Sequence, residues 1–307
     1  MTVRDACVKG TKLLERQGIP EAALDAWYLL EHITGISRAR YLSDGGQALE
    51  KALEARYFAL IEKRGRRIPL QHLTGVQEFM GYSFLVSRHV LIPRQDTETL
   101  VEEALSVLKK EAGPLRVLDM CTGSGCILLS VLKWMCQEQG YVIKSRKDFD
   151  PVAGQAVSSG EGGLSICGVG ADISAPALEV AAGNAKRLGV EAEFCQGDLF
   201  ENVKGRFSMI LSNPPYIRTS EIETLQEEVR LHDPISALDG GADGLDFYRR
   251  IIRESREYLL PKGHLMFEIG YDEAGAVAEW MKEAGFGNIS VKKDLAGLDR
   301  VVSGVYQ

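Results

Sequence analysis

The sequence predicts an α/β protein: a doubly wound, mostly parallel sheet preceded by a small helical domain and a linking β-hairpin. Three observations carry this. Apolar residues recur at helical spacing through residues 1–70. From Leu115 onward, short apolar runs alternate with amphipathic stretches in strand–helix order. A glycine-rich turn follows the first of those runs, at the strand end where such sheets bind ligands.

Asp5–Gln17 reads as the first helix, stopped near Gly18 and Pro20. Glu21–Thr34 repeats the pattern through Leu24, Trp27, Tyr28 and Leu30, with Gly35 at its end. Ala48–Arg64 is the third, with Leu49, Leu53, Phe58, Leu60 and Ile61 as its core stripe. Residues 1–74 therefore read as a small helical domain. In residues 75–93, Phe79, Tyr82, Phe84, Val86, Val90, Leu91 and Ile92 alternate with polar residues, as in a hairpin linker closed by Pro93.

Thr97–Lys110 is an amphipathic helix at the start of the large domain, residues 94–307. Its expected strands are Leu115–Asp119, Ser165–Gly170, Glu191–Cys195, Phe207–Leu211, His264–Ile269, Asn288–Lys293 and Val301–Tyr306. Its expected helices are Ser124–Glu138, Ala175–Leu188, Glu221–Val229, Leu245–Tyr258 and Asp272–Ala284. Leu295–Asp299 is too short for a crossover helix, so the last two strands should be antiparallel neighbours. Residues 139–164 are too long for an ordinary connection and read as an inserted, mobile surface loop.

A hydrophobic content of 45% fits a globular chain. No apolar run approaches the roughly 18 residues of a membrane helix, and no charged-then-apolar leader opens the chain. The expectation is a cytoplasmic protein with no membrane partner, and a monomer. The six cysteines include no CxxC pair, which argues against a disulfide scaffold or a zinc site. His32, His72, His89, His232 and His264 form no ligand spacing, so no metal is expected. The net charge of −7 argues against broad nucleic-acid affinity. Residues 1–93 hold 13 Lys+Arg against 10 Asp+Glu, a net of +3, and the remainder 23 against 33, a net of −10. Lys63, Arg64, Arg66 and Arg67 within that basic part are either a solvated helix end or a docking patch.

Three strand ends carry candidate chemistry. Asp119-Met120-Cys121-Thr122-Gly123-Ser124-Gly125 leaves the first strand and opens a helix, where glycines let a ligand approach the backbone. Asp172 ends the next strand, where a carboxylate can accept from both ribose hydroxyls or cap the following helix. Gly197-Asp198-Leu199-Phe200 follows the third strand and offers an apolar wall with a polar edge for an adenine. Cys126-Ile127-Leu128 breaks the GxGxxG fingerprint, and no GxxxxGK[ST] loop is present. S-adenosyl-L-methionine, which has no phosphates, fits this outline. Its candidate binding residues are Cys121, Thr122, Gly123, Ser124, Gly125, Asp172, Asp198, Leu199 and Asn213.

The fourth strand end is Asn213-Pro214-Pro215-Tyr216. Proline fixes its own φ and biases the preceding residue toward extended geometry, so this turn is stiff. A rigid Asn oxygen beside a rigid carbonyl makes a pair of acceptors for a planar NH2 group. With the cofactor turn and Asp172, this points to methyl transfer onto nitrogen. The candidate catalytic residues are Asn213, Pro214, Pro215 and Tyr216.

Over nearly its whole length the sequence resembles the HemK/PrmC protein-(glutamine-N5) methyltransferases of peptide chain release factors. The resemblance rests on Pro69–Gly75, Glu78-Phe79, Val90–Arg94, Asp119–Cys126, Asp172–Ser174, Ser212–Ile217, Ala237–Gly241 and Asp243–Tyr248. It departs at Gln95-Asp96 and at the 139–164 insertion. The resemblance implies a Rossmann-like class I S-adenosylmethionine-dependent methyltransferase sheet. It implies methylation of the glutamine of the Gly-Gly-Gln motif in class I release factors, in support of translation termination. Asn213 and the Pro214 carbonyl would accept the two amide N–H bonds, and Tyr216 would pack against the amide. Arg94, Thr97 and Glu98 would lie near the cleft, although Thr97 equally suits a helix cap. The alternatives are an N-methyltransferase for an exocyclic amine of DNA or rRNA, and a non-catalytic docking scaffold. Gly45-Gly46-Gln47 imitates the target tripeptide and reads as turn chemistry.

Overall fold

Apolar faces on successive helices build the first of two units, Met1–Val76 with Leu225–His232. The computed structural model describes residues 1–111, 113–145 and 164–307. In this unit α1 is Val3–Arg16, α2 Ala22–Thr34, α3 Arg38–Asp44, α4 Lys51–Gly65 and α5 Leu70–Thr74, and Glu227–His232 is α9 in chain order. Thr2 and Asp5 form a reciprocal capping box at the start of α1. Gly10 is required by packing: a Cβ there would meet the Tyr57 hydroxyl at 2.1 Å. That hydroxyl donates to the Ala26 carbonyl at 3.1 Å, and Leu14, Leu29, Leu30 and Ile61 fill the core around it.

The three arginines at and just beyond the end of α4 are ion-paired within this unit. Arg64 is buried, with Nε donating to Asp25 at 2.7 Å and Nη1 to Glu228 at 3.1 Å. Arg67 pairs with Glu228 and Glu227, and Arg66 with Glu62. Of these arginines, only Arg64 is withdrawn from the surface; Arg66 remains largely exposed. The expected helix Glu221–Val229 is also revised: a 3₁₀ segment covers Thr219–Thr224, and α9 begins at Glu227. Gly45-Gly46-Gln47 is turn, with the Gly45 and Gln47 carbonyls accepting from Arg4 N and Val3 N.

The second unit comprises Gln77–Thr224 and Asp233–Gln307. The hairpin strands are β1 Val76–Phe79 and β2 Tyr82–Leu85. Met80 and Gly81 between them both have positive φ, as a two-residue hairpin turn demands. Met80 N donates to Glu98 Oε1 at 2.6 Å. The alternation that suggested strand through Ile92 does not pair there; Val86–Ile92 is irregular backbone.

The main elements follow in order: α6 Glu98–Leu108, β3 Leu115–Met120, α7 Cys126–Gln139, β4 Val142–Ile143, β5 Ser165–Asp172, α8 Ala175–Leu188, β6 Glu193–Gln196 and β7 Phe207–Ser212. After α9 come α10 Asp246–Tyr258, β8 Leu259–Glu268, α11 Ala274–Glu283, β9 Phe286–Lys293 and β10 Asp299–Tyr306. The sheet order is β4-β5-β3-β7-β8-β10-β9, with β6 also paired to β5. All pairs are parallel except those of β10, which runs antiparallel to β8 and β9. The short Leu295–Asp299 connection thus produces the expected antiparallel neighbours. Of the 139–164 insertion, 146–163 lies outside the described residues.

Side-chain alternation divides the interior into two cores. Val117 and Met209 face α6 and α7 with Leu100, Leu128 and Leu132, whereas Leu118 and Ile210 face α10 and α11 with Ile251 and Val277. Every residue of β3 is buried, as suits a central strand covered on both faces. β8 starts five residues earlier than its apolar pattern suggests. Pro261-Lys262-Gly263 looks like a turn, yet Lys262 takes a positive φ and a register shift against β7 absorbs the irregularity. From β3 the chain moves to β5 on one side and returns to β7 on the other. The resulting switch point opens a crevice at the carboxyl ends of β3 and β7. Among the described residues, no helix is long and apolar enough to cross a membrane.

Candidate active site

A cavity of about 520 Å³ lies at these carboxyl ends, within the second unit. That size is ordinary for a small-molecule site. Cys121, Thr122, Gly123 and Ser124 form one wall, Asp172, Asp198 and Leu199 the next, and Asn213 and Pro215 a third. Gly125, Pro214 and Tyr216 do not line it.

The turn after β3 is held from below. Asp119 is fully buried and accepts from Thr122 Oγ1 at 2.6 Å and Leu128 N at 3.4 Å. Burial nevertheless pushes its carboxyl up to about 7, and its Oδ1 has no hydrogen-bond partner. Cys121, Gly123 and Gly125 all take positive φ. Gly125 is also closely packed: a Cβ there would meet Leu129 and Ala181 at 3.1 and 3.2 Å. Burial raises both Cys121 and Cys126, the latter to about 12, so neither thiol supplies a nucleophile.

Asn184, a residue the sequence analysis passed over, ties the turn to the hairpin. Its Nδ2 donates to Ser124 O at 2.9 Å and Leu85 O at 3.0 Å, and its Oδ1 accepts from Leu85 N at 2.6 Å. A buried amide with its hydrogen bonds satisfied across three segments is a rigid brace.

Asp172 accepts from Gly123 N through one oxygen and from Ser174 N through the other, both at 2.9 Å. The cap of α8 is Ser174, whose hydroxyl accepts from Ala177 N, so Asp172 is not the capping residue. Each Asp172 oxygen keeps lone-pair capacity for a ribose hydroxyl. Burial raises its pKa, against the pull of the Ser174 and Gly123 N–H groups. Asp198 pairs with Arg250 of α10 at 2.8 Å, and Leu199 adopts a positive φ beside it.

At β7, the Ser212 hydroxyl donates to Met120 O at 2.7 Å and locks the two strand ends together. Asn213 Nδ2 donates to Thr97 Oγ1 at 3.3 Å. Tyr216 turns away from the cavity: its ring packs on the second core, and its hydroxyl donates to Glu268 Oε1 at 3.3 Å. Burial lifts Glu268 to about 7, against the Thr97 hydroxyl, the Arg300 charge and the Tyr216 hydroxyl. The Ala237–Gly241 motif runs beside this turn. Ile217 N donates to Leu238 O and Gly240 N to Ile217 O, and a Cβ on Gly240 would meet Tyr216 Cα at 2.7 Å.

Arg94 and Thr97 line the cavity, whereas Glu98 is spent on the hairpin turn. Arg94 pairs with buried Asp233 at 3.0 Å; burial holds that carboxyl up near 6 despite the arginine. Both arginines of the cavity wall are thus ion-paired. A cavity lined by Asp172, Asp198 and Asp239, with its arginines committed, suits a cofactor without phosphates. Among the described residues, no cluster of potential metal ligands occurs.

Two family models match the sequence: the PrmC N-terminal domain over residues 5–75 and the methyltransferase small domain over residues 161–231. The chain is 36% identical over 307 residues to the release factor glutamine methyltransferase of Agrobacterium fabrum, covering 98% of this chain and 96% of that one. It is 36% identical over 310 residues to the protein of the same name from Clostridium acetobutylicum, covering 99% of each. In fold it is similar to a methyltransferase from Pyrococcus furiosus (TM-score 0.50, 15% identity, 80% of this chain and 98% of that one). It is also similar to the catalytic domain of hMettl16 (TM-score 0.53, 13% identity, 78% of this chain and 80% of that one).

Proposed function

The chain belongs to the release factor glutamine methyltransferases, and from that premise we propose that its cavity brings the side-chain amide of a release-factor glutamine to Asn213. The enzyme transfers a methyl group from S-adenosylmethionine to the N5 nitrogen of the glutamine in the Gly-Gly-Gln motif of class I release factors. The carrying observation is Asn213, fixed between a stiff Pro-Pro turn and Thr97, in the wall of a cavity that also presents Asp172. S-adenosylmethionine, when bound, supplies an electrophilic methyl group on a sulfonium.

Asp172 would hold the ribose, Leu199 would supply the apolar side of the adenine pocket, and the turn Cys121–Gly125 would pass beneath the amino-acid part. A glutamine amide is a poor nucleophile because its lone pair is delocalised into the carbonyl. Asn213 Oδ1 and the Pro214 carbonyl would accept its two N–H bonds, orienting the nitrogen and stabilising the positive charge that grows there. One N–H proton leaves to solvent once the new N–C bond has formed, so no strong base is needed beforehand. The helical unit is assigned to docking the release factor, residues 94–307 to catalysis, and the protein to the cytoplasm as a monomer.

Incubation with radiolabelled S-adenosylmethionine and, separately, release factor, ribosomes and DNA tests this reading. Label on the release-factor glutamine is expected; label on nucleic acid, or on nothing, counts against it. Asp172→Ala should weaken S-adenosylmethionine binding about tenfold or more by isothermal titration, as removal of a charged hydrogen-bond acceptor does. An unchanged Kd would remove Asp172 from the cofactor site.

A further inference from the structure

Asp172 and Asp198, two of the carboxylates in the cavity wall, sit on the β5–β6 side of β3 and are already engaged. Asp172 takes one N–H on each oxygen, and Asp198 pairs with Arg250. Asp239 enters the wall from the opposite side. An isolated parallel bridge joins it to Ile217, directly after the Asn-Pro-Pro-Tyr turn. Around that bridge Ile217 N donates to Leu238 O, Gly240 N to Ile217 O and Thr219 N to Gly241 O, at 2.8–2.9 Å. The strip of wall that carries Asp239 is therefore fastened to the backbone that carries Asn213.

Asp239 is anchored on one oxygen only. Its Oδ1 accepts from the Thr219 hydroxyl at 2.7 Å and from Gly241 N at 3.0 Å. Among the described residues, Oδ2 takes no hydrogen bond. The backbone beneath is tightly packed: a Cβ on Gly240 would meet Gly244 O at 2.5 Å. The Thr219 hydroxyl and then the Gly241 N–H hold the carboxyl below its ordinary range, so it is ionised at neutral pH. An ionised carboxylate only accepts, and its second oxygen has lone pairs to spare.

We propose that Asp239 is a substrate-binding residue whose Oδ2 accepts a main-chain N–H of the release-factor segment carrying the target glutamine. This rests on the assignment of Asn213 to the glutamine amide. A glutamine side chain that enters the cavity leaves its own main chain across the entrance. Main-chain N–H groups that lose water there need acceptors. Asn213 Oδ1 and the Pro214 carbonyl are spent on the side-chain amide, so the acceptor must come from farther along the same wall. The glycines beside the glutamine lack a Cβ, which lets their N–H groups approach that wall closely. Methyl transfer does not alter the main chain, so this contact is equally strong in the bound substrate and at the transition state. Its loss should raise KM and leave kcat nearly unchanged.

The test uses the full-length enzyme and a purified release factor. Asp239→Asn keeps an oxygen for Thr219 and Gly241 and turns the other end into a donor, which would face the substrate N–H. KM for release factor should rise about 10–100-fold, the usual cost of losing a hydrogen bond to a charged group. The affinity for S-adenosylmethionine and the melting temperature should stay near wild type. The rise in KM should be similar at low and high salt, because the lost partner is an uncharged N–H. A purely structural Asp239 predicts otherwise: asparagine serves the turn at Gly241 as well as aspartate does, so KM would not move. An unchanged KM, a loss confined to kcat, weakened cofactor binding, or a rise in KM that disappears at high salt would overturn the proposal and leave the methyl-transfer assignment standing. The last of these outcomes would assign Asp239 to a cation on the partner. Failure of the wild-type enzyme to methylate release factor would instead overturn that assignment, and the proposal with it.

Discussion

Asn213→Ala should lose on the order of 10²–10³ in kcat while folding normally and binding S-adenosylmethionine with near-wild-type affinity, like other removed transition-state contacts. The loss is specific because the turn does not need the side chain to form. Pro214 and Pro215 are buried and fix the backbone, and Ser212 separately ties β7 to β3. The Asn213 side chain donates to the Thr97 hydroxyl, so its removal costs that hydroxyl a donor and leaves the turn backbone untouched. What disappears is an acceptor that draws on the glutamine N–H as the nitrogen becomes positive. That interaction is stronger at the transition state than in the bound substrate, so kcat should fall more than KM rises. Steady-state kinetics on purified release factor, with cofactor titration and thermal melts alongside, decide the matter. Wild-type turnover by the alanine variant would end the assignment.

The second large effect is a pH dependence of stability centred on Asp119. Its carboxyl titrates near 3.8 in an unfolded chain and is pushed up to about 7 in the folded one by complete burial. Below the lower value both states hold the proton, and burial carries no ionisation penalty. Between the two values the unfolded chain releases the proton and the folded chain keeps it, so stability falls as pH rises. Each pH unit in that window costs about 1.4 kcal/mol, or several kcal/mol across it. Above about 7 the loss is complete and constant. Glu268 and Glu273 are raised to about 7 by the same cause and act in the same direction. Asp243 and Asp294 are held low and act in the opposite direction at acid pH. Asp119→Asn isolates one contribution: it keeps an acceptor for Thr122 and Leu128 and removes the proton. Denaturant midpoints measured from mildly acidic to neutral pH should fall less steeply in this variant than in wild type. Parallel curves would mean that Asp119 is already ionised in the folded protein across that range.

The strand–helix alternation after Leu115 was legible because strands buried on both faces read as continuous apolar runs, as all of β3 does. The turns at Asp119–Gly125 and Asn213–Tyr216 were legible for a related reason. Glycine and proline act on their own backbone, so their effect needs no distant partner. Glu268, Asn184 and Arg250 were not assigned roles because each acts through contacts remote in sequence. Asn213 and Thr97 are 116 positions apart, and Asn184 reaches 99 positions back to Leu85. Local pattern also misled in identifiable ways. Val86–Ile92 alternates like a strand because its apolar residues are needed on one side; Val86 and Val90 pack with Ala177, and Val90 also lines the cavity. Pro261-Lys262-Gly263 resembles a turn because a bulged strand and a turn draw on the same residues. Thr97 was open to two readings, near the cleft or a helix cap; it lines the cavity and makes no capping bond.

Arg64 takes one counter-charge from Asp25 and another from Glu228, 164 positions downstream. A gene truncated after codon 76 would therefore encode the helices of the first unit without the eight-residue segment that supplies this second counter-charge. Such a fragment would leave a shielded guanidinium short of one carboxylate, and its downstream counterpart would carry a helix bereft of its home. Dissection of this enzyme by limited expression should accordingly yield pieces less robust than the intact polypeptide.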